Sequence, residues 1–385
     1  MNPRDVVIVS ACRTPIGKNM GQFKDVRARQ LAITAGAEAI KRADIDPKLI
    51  DGIVMGECFT AMEGSLAARQ VSMRLGFDER SNACVVNQNC ASGMRALDIQ
   101  ANNILLGKED IGMVIGVESM TNAPYVLEKA RMGYRMGDSK IFDNMLHDGL
   151  IDELSGGHMG LTAENVAEKY GITREECDQI AVRSHNLACK AIDEGIFKDE
   201  IVPVVIKSKK GEKVITDDEH PIRNCTMETL AKLKPAFKKD GVITAANASG
   251  INDAAAAVIL MSWEKCQELG KKPMAKLVTC VAEGVAPEVM GLGPAVAMPK
   301  ALKAAGLKWE DIDYFEVNEA FSAQVLGVER MLKEDYGYVV DWNKTNKFGS
   351  GIALGHPVGC TALRIIVTLV YEMIRSDYKY GMASL

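Results

Sequence analysis

Short continuous apolar runs alternate along this chain with stretches in which apolar residues return every three or four positions. Val6-Val7-Ile8-Val9-Ser10-Ala11 is the first such run, Ile111 to Ser119 the second and Ala254 to Met261 the third. Apolar runs of this length, without polar alternation, predict strands covered on both faces. The helical spacing predicts helices over about 29–42, from Gly93 to Leu106, over about 297–305 and from Thr361 to Ile374. Strands and helices alternating through short loops predict a layered α/β fold, with helices covering mixed sheets.

The pattern repeats. Residues 44–61 read DIDPKLIDGIVMGECFTA and residues 306–323 read GLKWEDIDYFEVNEAFSA; at one constant offset Ile50 meets Ile312, Asp51 meets Asp313, Glu57 meets Glu319, Phe59 meets Phe321 and Ala61 meets Ala323. Upstream, the strand from Val6 to Ala11 has its counterpart in Leu277-Val278-Thr279-Cys280-Val281-Ala282. Such spaced self-similarity predicts two copies of one supersecondary unit. The expected organisation is an N-terminal half over 1–119, completed by about 249–270, an inserted domain over 120–248, and a C-terminal half over 271–385. In the first half the helix from Gly93 leads to the strand Ile111–Ser119. In the second, the helix from Thr361 leads to Tyr380–Leu385, and the run Ala254–Met261 has no counterpart. Because an unpaired sheet edge is a liability, the expectation is a C-terminal half missing its last strand or strands.

The insertion opens on a methionine-rich stretch (Met120, Met132, Met136, Met145, Met159). Thr162 ahead of Glu164 marks a helix stopping at Gly171, and Thr173-Arg174-Glu175-Glu176 is a capping box for a second helix ending near Gly195. The strand-like Ile201–Ile206 follows, and then a basic patch, 207–210, that reads as a solvated loop.

Composition narrows the function. The 385 residues are 47% hydrophobic and 25% charged, with a formal charge of -5, which argues against a nucleic-acid or anionic-membrane binder. No apolar run approaches a membrane span and no signal peptide precedes Val6, so a cytoplasmic protein is expected. Ten cysteines contain no C-x-x-C pair, which leaves no zinc or thioredoxin-type motif, and no metal site is expected. Cys12, Cys58, Cys84, Cys189, Cys266 and Cys280 read as small buried hydrophobes, and His147, His185 and His220 as structural.

Cys90 differs. It stands in Val85-Val86-Asn87-Gln88-Asn89-Cys90-Ala91-Ser92-Gly93, where an apolar run breaks into a small-residue turn and then a helix. A thiol at a helix N-terminus meets the positive end of the peptide dipoles, which favours the thiolate. His356, between Gly355 and Pro357 in a tight turn, is the candidate base, and Ser92 and Gly93 read as helix entry and close packing.

These segments carry a resemblance. The opening Ser10-Ala11-Cys12-Arg13-Thr14-Pro15-Ile16-Gly17-Lys18, NQNCASGMRAL, Gly157-His158-Met159-Gly160, LAKLKPAFKKDG, Asn247-Ala248-Ser249-Gly250-Ile251-Asn252-Asp253, NEAF, and Ile352-Ala353-Leu354-Gly355-His356-Pro357-Val358-Gly359 occur in order. In these the chain resembles the thiolases, nearest their short-chain biosynthetic type, acetyl-CoA acetyltransferase (acetoacetyl-CoA thiolase). The resemblance implies a duplicated thiolase-like fold, layered αβαβα, and a reversible Claisen condensation of two acetyl-CoA into acetoacetyl-CoA plus CoA. Cys90 would carry the acyl group and His356 would take its proton; Asn318, through a water, and His356 as the second donor would bind the enolate oxygen. Glu319 and Phe321 would hold the loop and shape the tunnel. It further implies that His158, Met159, Phe237, Ala245, Ser249, Met290, Ala320 and Phe321 bind the acyl-CoA, with Met159 setting an acetyl-sized pocket. CoA enters as substrate, no cofactor is implied, and a homotetramer (a dimer of dimers) is. Three departures stand out. His220-Pro221 is followed by Ile222 before Arg223, which would take the adenine contact. Gly349-Ser350-Gly351 replaces a Gly-Gly pair. The family's second cysteine would fall immediately after Leu385, and Cys360 is no replacement, so condensation by this chain as given is in doubt. The same residues would serve a degradative 3-ketoacyl-CoA thiolase, and the missing thiol admits a non-catalytic acyl-CoA-binding or assembly subunit.

Overall fold

Val6–Arg13 (β1) is buried along all eight residues, as an unalternating apolar run requires. The computed structural model describes residues 1–209 and 211–385; Lys210, in the basic patch, lies outside the described residues. Gly52–Gly56 (β2), Asn82–Val86 (β3), Ile111–Ser119 (β4), Asn252–Ser262 (β5) and Ala275–Lys276 (β6) join β1 in one sheet, ordered β6-β1-β5-β4-β2-β3, with Gly17–Lys18 paired to β5. β2 runs parallel to both β3 and β4, whereas β5 is antiparallel to β4 and β1. The late strand β5 thus lies at the sheet's centre, opposite residues separated from it by more than a hundred positions.

One face of this sheet packs Ala28–Ala43 (α1), through Val7, Val9, Leu31, Ala35, Ile115 and Ile259. The other packs Ser92–Leu105 (α2) and Val358–Ser376, through Val6, Leu97, Val114, Ala256, Leu363 and Val367. Fourteen of the nineteen residues of that C-terminal helix are buried, because it is an inner layer with a sheet on each side. Its far side meets the parallel pair Tyr314–Val317 (β7) and Gly381–Ser384 (β8), which Gly293–Ala305 and Ser322–Tyr336 cover in turn. Helix, sheet, helix, sheet and helix therefore alternate through five layers.

Two expectations need correction. Leu277–Ala282 is no strand: after β6 the chain runs to Ala286 without ladder pairing. A ladder needs a neighbour within hydrogen-bond reach, and an apolar cleft of about 260 Å³, lined by Leu277, Val281, Met298, Leu369 and Met382, separates this segment from β8. In the insertion, the first helix begins at Met159 (α3, Met159–Tyr170), one turn before the predicted cap. Thr162 Oγ1 donates back to the Met159 carbonyl at 2.6 Å, and the imidazole of His158 accepts from Gly160 N instead. The second helix, Arg174–Asp193 (α4), does carry the Thr173–Glu176 capping box. The methionine-rich stretch forms an exposed hairpin, Tyr125–Leu127 against Ile141–Asp143.

Candidate active site

The nucleophile turn is built by short polar side chains. Asn89 takes a left-handed backbone (φ 47) between β3 and α2, a conformation asparagine tolerates well, with its N–H donated to Asn87 Oδ1 at 2.8 Å. Ser92 Oγ fastens the turn twice, donating to Asn89 O at 2.6 Å and accepting from Gln88 N at 2.8 Å. Cys90 is thereby held just ahead of the first turn of α2, in an apolar surround of Phe59, Met120, Met145, Leu150, Ile251 and Val358.

His356 comes from the other half, and glycines set the approach. Gly351–Leu354 (α5) leads into the turn that carries it, and Val358–Ser376 (α6) follows. A Cβ on Gly93 would stand 2.7 Å from Leu363 N, and one on Gly359 2.6 Å from Val117 O, so only glycine lets α6 lie against α2 and β4. His356 N donates to Asn252 Oδ1 at 2.9 Å, while Asn252 Nδ2 donates to Gly17 O at 3.0 Å. His356 Nε2 then lies 3.1 Å from Cys90 Sγ.

The tautomer follows from the hydrogen bonds. Thr361 Oγ1 spends its hydrogen on Pro357 O at 2.9 Å, so at 2.6 Å from His356 Nδ1 it can only accept. Nδ1 carries the proton and Nε2 presents a lone pair to the thiol. Burial pushes the Cys90 thiol up to about 12, helped by the Glu118 charge, against a single opposing backbone hydrogen bond. Burial also lowers His356 to about 4, and Arg364 adds to this. Burial opposes the charged form of both groups while the helix end favours the thiolate, and in the neutral pair S–H donates to Nε2. Proton transfer within the pair makes both charges together, each stabilising the other.

Asn318 is buried, with its N–H donated to Ser384 O at 2.9 Å and its Oδ1 without a hydrogen-bond partner among the described residues. That oxygen stands 2.6 Å from where a Cβ on Gly351 would be, which places it against α5, just before the His356 turn. Glu319 accepts from Ser184 Oγ at 2.5 Å and from Asn346 Nδ2 at 2.9 Å, and so fixes the Asn318 loop.

Among the predicted acyl-CoA residues, His158 stacks on Phe237 at 4.8 Å and Phe237 meets Phe321 edge-on at 6.1 Å. Met159, Met290 and Ala320 pack against the same cluster, and Ser249 N donates to Ala320 O at 2.9 Å. Ala245 is exposed beside it. Arg223 is not brought there: its guanidinium forms a two-pronged ion pair with Asp193 at 2.8 and 3.0 Å on the outer surface. Sequence reasoning missed Asn252 and Thr361, which orient the imidazole. Asn252 stood in a quoted motif without a role, and the spacing from His356 to Thr361 becomes legible only once α6 is known to begin between them.

Two family descriptions match the chain: "Thiolase, N-terminal domain" over residues 6–264 and "Thiolase, C-terminal domain" over residues 271–385. An acetyl-CoA acetyltransferase from Syntrophomonas wolfei is 51% identical over 384 residues, 99% of this chain and 96% of that protein. A solved acetyl-CoA acetyltransferase from the same organism superposes with a TM-score of 0.99 at 62% identity, covering 100% of this chain and 96% of the other. Human mitochondrial 3-ketoacyl-CoA thiolase superposes with a TM-score of 0.95 at 38% identity, over 100% and 97% of the two chains.

Proposed function

This chain belongs to the thiolase family, and from that premise we propose that it is an acetyl-CoA acetyltransferase that joins two acetyl-CoA into acetoacetyl-CoA and CoA, reversibly. The observation that carries the reading is the 3.1 Å contact between Cys90 Sγ and His356 Nε2, with the imidazole proton fixed on Nδ1. As the Cys90 sulfur attacks the thioester carbonyl, its proton passes to Nε2; the C–S bond to CoA breaks, CoA leaves as the thiol, and the acetyl group stays on Cys90. A base other than His356 then takes an α-proton from the second acetyl-CoA, in exchange for the one CoA carried off; the enolate carbon attacks the Cys90 acetyl carbonyl, the C–S bond to Cys90 breaks, and the sulfur takes its proton back from Nε2. While the Cys90 proton sits on Nε2, His356 and, through a water, the Asn318 amide are the donors for the oxygen that becomes negative in that step, a placement worth about 3 kcal/mol where such donors have been removed.

The His158–Phe237–Phe321 cluster, with Met159 and Met290, supports an apolar channel for the pantetheine arm and a short acyl end. The matches to acetyl-CoA acetyltransferases, 44–51% identical over 99% of this chain, do not bear out the doubt about activity. A homotetramer is supported by the exposed hairpin, where Met132 is 77% and Met136 98% accessible. Among the described residues no helix is long and apolar enough to cross a membrane, which fits the cytoplasmic reading. The test compares cleavage of acetoacetyl-CoA with that of a long-chain 3-ketoacyl-CoA. Preference for the four-carbon substrate is expected; preference for the long chain would make the protein a degradative 3-ketoacyl-CoA thiolase.

A further inference from the structure

We propose that Glu118 is a positioning residue for the reacting pair: its buried carboxylate ties the segment after β2 to the first turn of α6, and so keeps the Cys90 thiol against the His356 imidazole. The inference rests on the assignment of Cys90 and His356 as that pair. Glu118 lies near the end of β4 and is fully buried. Its Oε2 accepts from Gly359 N at 2.8 Å and Cys58 N at 3.0 Å, and its Oε1 accepts from Phe59 N at 3.1 Å. Gly359 is three residues beyond His356. Cys58 in turn touches the nucleophile turn, with Sγ 3.2 Å from Asn89 O and 3.4 Å from Ser92 Oγ. One carboxylate therefore reaches the supports of both reacting side chains, and it does so through three backbone donors from two halves of the fold. Hydrogen bonds to an ionised acceptor are about twice as strong as neutral ones, so the clamp is tight only while Glu118 carries its charge. An amide there would turn an N–H toward at least one N–H donor.

The groups facing Glu118 separate in pH. Glu57, at the end of β2, has neither carboxyl oxygen hydrogen-bonded among the described residues, and burial with the Glu118 charge pushes it up to about 9. Cys58 is pushed above the ordinary thiol range, and Cys90 and Cys360 up to about 12. Asp253, on β5 beside the partner of Glu118, is raised by burial to about 6. Burial raises Glu118 to about 7, with the three N–H donors opposing it. Three N–H donors hold a charge on Glu118 and none holds one on Glu57, so of the two it is Glu118 that is charged as pH rises through neutrality, and once protonated the clamp is weakened.

The experiment follows acetylation of Cys90 by acetyl-CoA with mass spectrometry, from about pH 5 to about pH 9, in the wild type and in Glu118→Gln, Glu57→Gln and Asp253→Asn. The wild-type rate should rise through an inflection near pH 7. Glu118→Gln should lose that inflection and fall on the order of 10²-fold in maximal rate, with the half-saturating acetyl-CoA concentration unchanged. Glu57→Gln and Asp253→Asn should keep the wild-type inflection, since an amide mimics a carboxyl already neutral and Asp253 titrates lower. An undiminished maximal rate in Glu118→Gln, or an inflection that survives it, overturns the proposal. So does a wild-type profile flat around pH 7, a readout that stands even where Glu118→Gln fails to fold. Absence of any Cys90 adduct in the wild type would instead sink the acyl-enzyme reading itself.

Discussion

Replacing Gly359 by alanine should separate the reacting pair without touching either side chain. The added Cβ would stand 2.6 Å from Val117 O, 2.8 Å from Glu118 Oε2 and 2.9 Å from Glu57 Cα, where ordinary contact begins at 3.4 Å. The two nearest obstacles are the backbone of a central strand and a carboxylate held by three N–H groups, and neither can turn aside. The first turn of α6 must therefore retreat by roughly 0.8 Å, a shift that packed interiors pass on rather than absorb. His356 precedes that turn by two residues, so its Nε2 would open from 3.1 Å to nearly 4 Å, the outer limit of a hydrogen bond to sulfur. Overpacking of this kind costs about 1–3 kcal/mol of stability, and a misplacement near 1 Å on the order of 10²-fold in rate, about 3 kcal/mol of barrier. Thermal melting and the rate of Cys90 acetylation read the two losses. Gly293→Ala is the control, because nothing lies within 4 Å of its added Cβ. A Gly359→Ala protein that melts and reacts like the wild type would refute the claim that helix approach sets the pair's geometry.

The other expectations follow from buried charges and the aromatic cluster. Glu57 is neutral when folded at pH 7 but ionised when unfolded, so its raised pKa gives stability that is full below about 4.5 and drains away as pH rises through about 9. Glu57→Gln should remove that slope and raise stability at pH 7 by on the order of 3 kcal/mol; denaturant melts from acid to alkaline pH check it, and an unchanged slope contradicts it. Arg364 is buried with its Nη1 3.7 Å from Glu316 Oε2, and its guanidinium nitrogens have no hydrogen-bond partner among the described residues. Arg364→Ala should cost about 3–5 kcal/mol by leaving the buried Glu316 carboxyl with Tyr314 as its one neighbouring donor and no charge partner, and Glu316→Leu on that background should restore much of it, as melts would show. Phe237→Ala removes the stack on His158 and should raise the half-saturating acyl-CoA concentration by roughly 3–10-fold with little change in maximal rate; steady-state kinetics decides.

The layered fold was legible because β1, β4 and β5 each carry an unbroken apolar run and are buried throughout, and the inner helix, α6, is apolar nearly all round. The Leu277–Ala282 segment misled, since a strand is defined by its neighbours and this one faces a cleft. The α3 start misled because an imidazole, not a hydroxyl, caps it. Cys90 and His356 could be picked from their turns, 266 positions apart. Their protonation could not: a helix end favours the thiolate, but how completely the site is desolvated depends on the fold. Nor could Asn252, Thr361 or Glu118 be assigned, since each acts through backbone or ring atoms that only the packing of α6 on β4 brings within reach.

The account stands on the sulfur of Cys90 accepting an acyl group with His356 as its base. Intact-protein and peptide mass spectrometry after brief exposure to acetyl-CoA tests this directly. The acetyl group should appear on Cys90, vanish in Cys90→Ser and form on the order of 10²-fold more slowly in His356→Asn. An acetyl group found on another cysteine, or formed at the wild-type rate without the imidazole, would contradict it.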